Sequence, residues 1–227
     1  KIQPHLKKDA VITSNTSGIS IAELIDGMDN DMASRFFITH FFNPPRYMKL
    51  VEIIPSEKTN ADLIPPMAVF LEETLGKGVV YAKDTPNFIA NRIGVYGMMV
   101  TLEEARKKKL SIEDVDGLTG SLIGRPKSAT FRTADVVGLD TMCFVANTAY
   151  EKCTNDPERE TFKIPDYLQK MVDNEWLGQK SKQGFYKKID KGVIHSIDLD
   201  TLEYRPKNKK RYAGVRLVKE NVQLKDR

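Results

Sequence analysis

Between Arg35 and Pro55 the chain reads RFFITHFFNPPRYMKLVEIIP, two apolar runs separated by Asn43-Pro44-Pro45. Phe36 to Phe42 and Met48 to Ile54 are rich in aromatic and β-branched residues, and the Asn-Pro-Pro cluster can continue neither run, so the pattern predicts two strands joined by a turn. Each run carries one ionisable side chain where a core residue is expected: His40 in the first and Glu52 in the second. A hairpin centred near Pro45 sets His40 opposite Leu50 and makes Glu52 its diagonal neighbour on the same face, because strand side chains alternate. A carboxylate so placed can accept from one ring nitrogen, fix the tautomer and leave the other nitrogen to exchange a proton with a substrate. The plain alternative, a core histidine with a glutamate in a structural pair or on a solvated face, fits the same spacing.

With 227 residues the chain can bury a real core, as one large domain or two small ones. Its net charge is only +4, but basic residues cluster at Arg106 to Lys109 and at Lys207, Lys209, Lys210 and Arg211. Such runs read first as solvated faces, and without interleaved aromatic residues they give no ground to expect a nucleic-acid partner. Cys143 and Cys153 imply no disulfide framework; His5, His40 and His195 do not cluster and no CxxC occurs, so no metal is expected. Neither an apolar stretch of about twenty residues nor a signal-peptide pattern is present, so the expectation is no membrane partner and a cytoplasmic location.

In chain order, Ala10 to Thr13 reads as a short buried strand. The polar turn Ser14-Asn15-Thr16-Ser17-Gly18 leads into Ile19, Ile21, Leu24 and Ile25, which line one helical face until Gly27. Strand, polar turn and helix form the α/β grammar in which ligands sit at the carboxyl ends of strands. The turn's hydroxyls and amides either cap the helix or face a ligand. After the hairpin, 59–76 is a capped helix restarted by Pro65-Pro66, 78–82 a strand and KDTPNF a loop. Helices then follow one another over 89–109, 111–119, 133–153 (a pair, or one interrupted at Gly138) and 165–175, beyond which little periodic apolar pattern remains.

Five runs, SNTSGISI (Ser14 to Ile21), HFFNPPRYMKLVEII (His40 to Ile54), KDTPNFIANR (Lys83 to Arg92), DVVGLD (Asp135 to Asp140) and GQKSKQGFYKK (Gly178 to Lys188), resemble in order and spacing the 3-hydroxyacyl-CoA dehydrogenases of fatty-acid β-oxidation. The resemblance covers about residues 10 to 188. It implies an α/β remnant, the C-terminal part of a Rossmann-type NAD-binding domain, over 1–85. An all-α domain follows over 86–188, with acyl-CoA bound in the cleft between the two. Residues 189–227 are expected to be a charged tail or linker. The family's GxGxxG loop precedes the SNTS run, and no such loop stands in this sequence, so the chain is expected to be a fragment of a longer, bacterial-type polypeptide and to bind NAD weakly alone.

By motif, the resemblance implies that His40 is the general base and Glu52 its orienting carboxylate. Ser17 and Asn91 would hydrogen-bond the substrate oxygen, and Asn43 would lie beside the nicotinamide. The implied activity is NAD-dependent oxidation of a 3-hydroxyacyl-CoA to a 3-oxoacyl-CoA. Helical domains of this family can dimerise, so a homodimer is an expectation. Two departures stand out: Asn87 occupies the place of the glycine in the family's TPGF loop, a substitution that left-handed backbone tolerates, and GRPKSATFRTAD (Gly124 to Asp135) replaces a GPF-type segment that bears on the acyl pocket wall. The other readings are a non-catalytic acyl-CoA-binding or dimerisation module and a dehydrogenase of small hydroxy acids. The HFFNP run with its downstream glutamate speaks against the last, because such enzymes typically use a lysine base.

Overall fold

The computed structural model describes residues 5–190, 192–207, 212 and 215. It divides into two compact units, Lys1–Arg92 and Ile93–Arg227.

The first unit is built on a four-stranded sheet. β1 (Ile12–Ser14) is followed by two short helices, α1 (Ile21–Leu24) and α2 (Asn30–Ser34). Both start where a side chain satisfies an orphan N–H: Ser20 Oγ accepts from Glu23 N at 3.1 Å and Asp29 Oδ1 from Met32 N at 2.7 Å. β2 (Phe36–Phe41) and β3 (Leu50–Pro55) come next. A helical run then spans Ala61 to Thr74, with α3 (Ile64–Val69) at its centre and the two prolines in the first turn of α3, where a missing N–H costs nothing. β4 (Gly78–Tyr81) completes the sheet, whose order is β1-β2-β3-β4. The outer pairs are parallel and β2 and β3 antiparallel.

Consecutive residues Phe36, Phe37 and Ile38 on β2 and Val51, Ile53 and Ile54 on β3 are all buried, so both faces of the central strands are covered. Each such side chain stabilises the fold by about 1.5–3 kcal/mol relative to exposure. Ile21, Ala33, Ala68 and Leu71 from the helices join this core.

The hairpin register differs from the sequence expectation: His40 pairs directly with Glu52, not with Leu50. The reason is the turn. Tyr47 N and Met48 N both donate to Pro44 O at 3.0 Å, closing the loop one residue past Pro45 and moving the pairing by two positions. An even shift leaves every side chain on its original face, so the histidine and the glutamate still meet.

The second unit opens with α4 (Ala90–Lys107), whose first residues lie in the first unit, and continues through α5 (Ile112–Thr119), α6 (Phe131–Val137), α7 (Leu139–Lys152) and α8 (Asp166–Asp173). Leu102, Phe131, Leu139, Ala146, Leu168 and Phe185 are wholly buried in its core. Two aspartates tie the connecting segments to it. Asp116 accepts from the N–H groups of Thr130, Phe131 and Arg132 and from the Tyr186 hydroxyl, while Asp135 accepts from Phe185 N at 2.8 Å and Tyr186 N at 2.9 Å. Gly178 and Gly184 of the GQKSKQGF run let that chain approach Asp135: a Cβ on Gly178 would stand 2.3 Å from Asp135 O, and one on Gly184 2.1 Å from Asp135 Oδ1. These two motifs therefore meet each other. The basic run at the end of α4 is a solvated face, with Lys107 on Glu103 and Lys108 on Glu104 one turn back.

The expectation of an all-α domain with a charged tail from Ile189 requires correction. β5 (Tyr186–Asp190), β6 (Val193–Ile197) and β7 (Tyr204–Pro206) form an antiparallel sheet of order β5-β6-β7 on the helical unit. Ser196 and Ile197 are buried, and Ser196 Oγ donates to Glu113 Oε2 at 2.9 Å, with Arg205 on Oε1 at 3.0 Å. The two fully buried positions are adjacent on β6, and β5 carries Lys187, Lys188 and Asp190, so no two-residue apolar period marks these strands in the sequence. Lys209, Lys210 and Arg211, with nearly half of the expected tail, lie outside the described residues.

Candidate active site

β1 and β2 run parallel, so their carboxyl ends share one edge of the sheet, and His40 stands at that edge one residue before the end of β2. The polar turn after β1 leaves at the same edge: Asn15 Oδ1 accepts from Phe41 N at 2.8 Å. Glu52 arrives from the antiparallel partner strand, directly across from His40.

Both side chains are buried, His40 at 6% and Glu52 at 0% exposure. A charge buried so deeply persists only when paired and hydrogen-bonded. Glu52 meets that condition on both oxygens: Oε2 is 2.7 Å from His40 Nδ1, and Oε1 accepts from Ile89 N at 3.0 Å and Ala90 N at 2.9 Å, the N–H groups that open α4. Burial acts to raise the Glu52 pKa, but the His40 hydrogen bond, the two N–H groups and the neighbouring imidazole outweigh it and hold the carboxyl below its usual value. An ionised carboxylate is acceptor-only, so Nδ1 carries a proton, and in the neutral imidazole Nε2 is the nitrogen with the free lone pair. The rings of Phe42 and Phe88 stand edge-on to the imidazole at 4.6 and 5.6 Å between centroids and give it apolar walls. The arrangement can accept a proton at Nε2 and stabilise the resulting cation through Glu52.

Of the other residues singled out by sequence, Ser17 lies half-buried in the turn after β1, and Asn91 half-buried one residue past Ala90, whose N–H holds Glu52. Asn43 is exposed in the loop two residues past β2. The described structure therefore unites His40 and Glu52 by direct contact, and assigns Ser17, Asn91 and Asn43 to segments adjoining them in sequence or by hydrogen bond. Asn87, in the glycine position, is buried with φ 63°, the left-handed backbone expected of it.

Sequence reasoning missed three supports. The backbone N–H groups of Ile89 and Ala90 carry Glu52; a helix start just after the TPNF loop was the available signal. Asn15 fixes the turn to β2. Asp84 reaches back to the start of α1, accepting from Ile21 N at 3.0 Å and Ala22 N at 3.4 Å, and sequence offers no signal for a contact of that separation. Among the described residues no group of three or more His, Cys, Asp or Glu side chains could hold a metal ion, and no helix is long and apolar enough to cross a membrane.

Comparison with known proteins bears on the whole chain. Residues 1–85 match the family model for the NAD binding domain of 3-hydroxyacyl-CoA dehydrogenase, and residues 88–188 that for its C-terminal domain. A probable 3-hydroxyacyl-CoA dehydrogenase of Bacillus subtilis is 49% identical over 219 residues, covering 96% of this chain and 28% of the relative. Another, from Deinococcus radiodurans, is 47% identical over 188 residues, 83% of this chain and 54% of the relative. The chain thus spans about a quarter to a half of the length of these relatives. Among solved structures, FadB2 of M. tuberculosis superposes with a TM-score of 0.72 at 30% identity, over 81% of this chain and 62% of that one. The (S)-3-hydroxybutyryl-CoA dehydrogenase PaaH1 of Ralstonia eutropha gives 0.69 at 28% identity over the same shares.

Proposed function

The chain belongs to the 3-hydroxyacyl-CoA dehydrogenase family, and from that premise we propose that the full-length protein oxidises a 3-hydroxyacyl-CoA to the 3-oxoacyl-CoA, with this chain supplying the acid–base half of the site. The observation that carries the reading is the 2.7 Å contact between His40 Nδ1 and Glu52 Oε2, which leaves Nε2 as the base. NAD, when bound, supplies the hydride acceptor, with Asn43 as its neighbour in this chain. His40 Nε2 takes the proton of the substrate's 3-hydroxyl group, and Glu52 balances the imidazolium that results. Ser17 and Asn91 hydrogen-bond the oxygen that becomes the carbonyl, where donors aimed at developing charge count most. The α/β unit is read as the C-terminal part of an NAD-binding domain, so the grip on the pyrophosphate comes from residues other than these.

The test is NADH formation by the purified full-length protein with a 3-hydroxyacyl-CoA thioester and with the corresponding free 3-hydroxy acid. The reading predicts turnover of the thioester and at least a hundredfold lower kcat/KM for the free acid, about 3 kcal/mol of lost transition-state binding. Equal turnover of both, or of neither, contradicts it.

A further inference from the structure

We propose that Lys77 is a positioning residue for the cofactor end of the site, because it holds the loop that carries Asn43; the inference rests on reading Asn43 as a neighbour of the nicotinamide. Every residue from Asn43 to Lys49 is exposed, with Tyr47 at 76%, so no buried side chain fixes this loop. Its tip is instead held by polar bonds. Pro44 O takes the N–H groups of Tyr47 and Met48, and the Lys77 ammonium donates to Pro45 O and, at 2.7 Å, to Met48 O. The two carbonyls flank Arg46 and Tyr47, so one cation clamps both sides of the turn. Lys77 is itself well placed to act as a clamp: its N–H donates to Leu71 O at 2.9 Å and Gly78 N donates to Lys49 O at 2.8 Å, fixing the backbone on both sides of it. Its ammonium also lies 5.8 Å from the centroid of the Phe41 ring, next to His40 in sequence.

A primary ammonium has three donors and accepts nothing, which suits it to gather carbonyl oxygens. Without it, Pro45 O and Met48 O turn to water and the loop samples other conformations, so Asn43 must be ordered when the cofactor binds. Lys77→Met keeps an unbranched side chain of similar length and removes the donors, while Lys77→Arg restores them.

The experiment titrates NAD calorimetrically into the full-length protein and its Lys77→Met and Lys77→Arg variants, and follows tryptic cleavage of the Arg46–Tyr47 bond by mass spectrometry. Lys77→Met is expected to weaken NAD binding about tenfold, to speed that cleavage, and to leave the Kd for the acyl-CoA and the thermal midpoint unchanged. Lys77→Arg is expected to recover most of the affinity. Unchanged NAD affinity in Lys77→Met overturns the proposal even if cleavage quickens, and so does an equal loss of acyl-CoA affinity. A wild-type protein that binds NAD but turns over no thioester sinks the functional reading alone, and one that binds no NAD sinks both.

Discussion

His40 Nδ1 and Glu52 Oε2 lie 2.7 Å apart across directly paired positions of two central strands, and neither side chain has meaningful access to water. The pair costs desolvation on both sides, and its remaining oxygen is satisfied by the two N–H groups that open α4. Removing one partner is therefore more damaging than the attraction alone suggests, because the other groups stay buried.

Glu52→Gln should destabilise the α/β unit by about 3 kcal/mol at pH 7, read from urea unfolding. The sign of the pH dependence follows from the carboxyl being held below its ordinary 4.5: its contribution is present above that pH and is lost as pH falls through the lower folded-state value. The gap between wild type and Glu52→Gln should narrow in acid. A gap that stays constant from pH 7 to pH 3 would contradict the assignment.

Asp135 gives the opposite sign. Burial pushes its carboxyl up to about 6, against the two backbone N–H groups that favour ionisation and with the nearby Asp116 adding to the rise. Its contribution is fully present below the ordinary 3.8 and is lost as pH rises through about 6. The stability of wild type relative to Asp135→Asn should fall by about 2 kcal/mol between pH 4 and pH 7, measured by urea unfolding at each pH. A flat difference across that range would refute it.

The glycines of the GQKSKQGF run test whether this motif is a packing feature. Gly178→Ala should lower the thermal midpoint sharply, costing about 3 kcal/mol or more, since the new Cβ would meet Asp135 backbone atoms at 2.3–2.9 Å at a φ of 96°. Gly192→Ala, with φ 89° and nothing within 4 Å, should cost only the backbone strain, about 1 kcal/mol. Comparable losses in the two variants would mean that contact with Asp135 is not the cause.

The proximity of His40 and Glu52 was legible because two strands around a proline turn admit few registers, and an error of two positions preserves the face. The helix starts at Ser111 and over 59–76 were legible from local chemistry, a hydroxyl or amide before an apolar run. The β5–β7 sheet was not, because its fully buried pair, Ser196 and Ile197, is adjacent in sequence while Lys187, Lys188 and Asp190 charge the partner strand, so no apolar alternation marks it. Long-range polar contacts were equally invisible. Asp84 on the start of α1 and Lys77 on the hairpin loop join segments 62 and 29 residues apart through single side chains, and no local pattern announces such a pair.

The most direct test of the acid–base assignment is steady-state NADH formation by full-length His40→Gln protein with a 3-hydroxyacyl-CoA at saturating NAD. Removing the base should lower kcat by about 10²–10⁴-fold while the thioester still binds, since glutamine fills similar space without accepting the substrate's proton. A His40→Gln protein that keeps its oxidation rate to within about threefold would contradict the account.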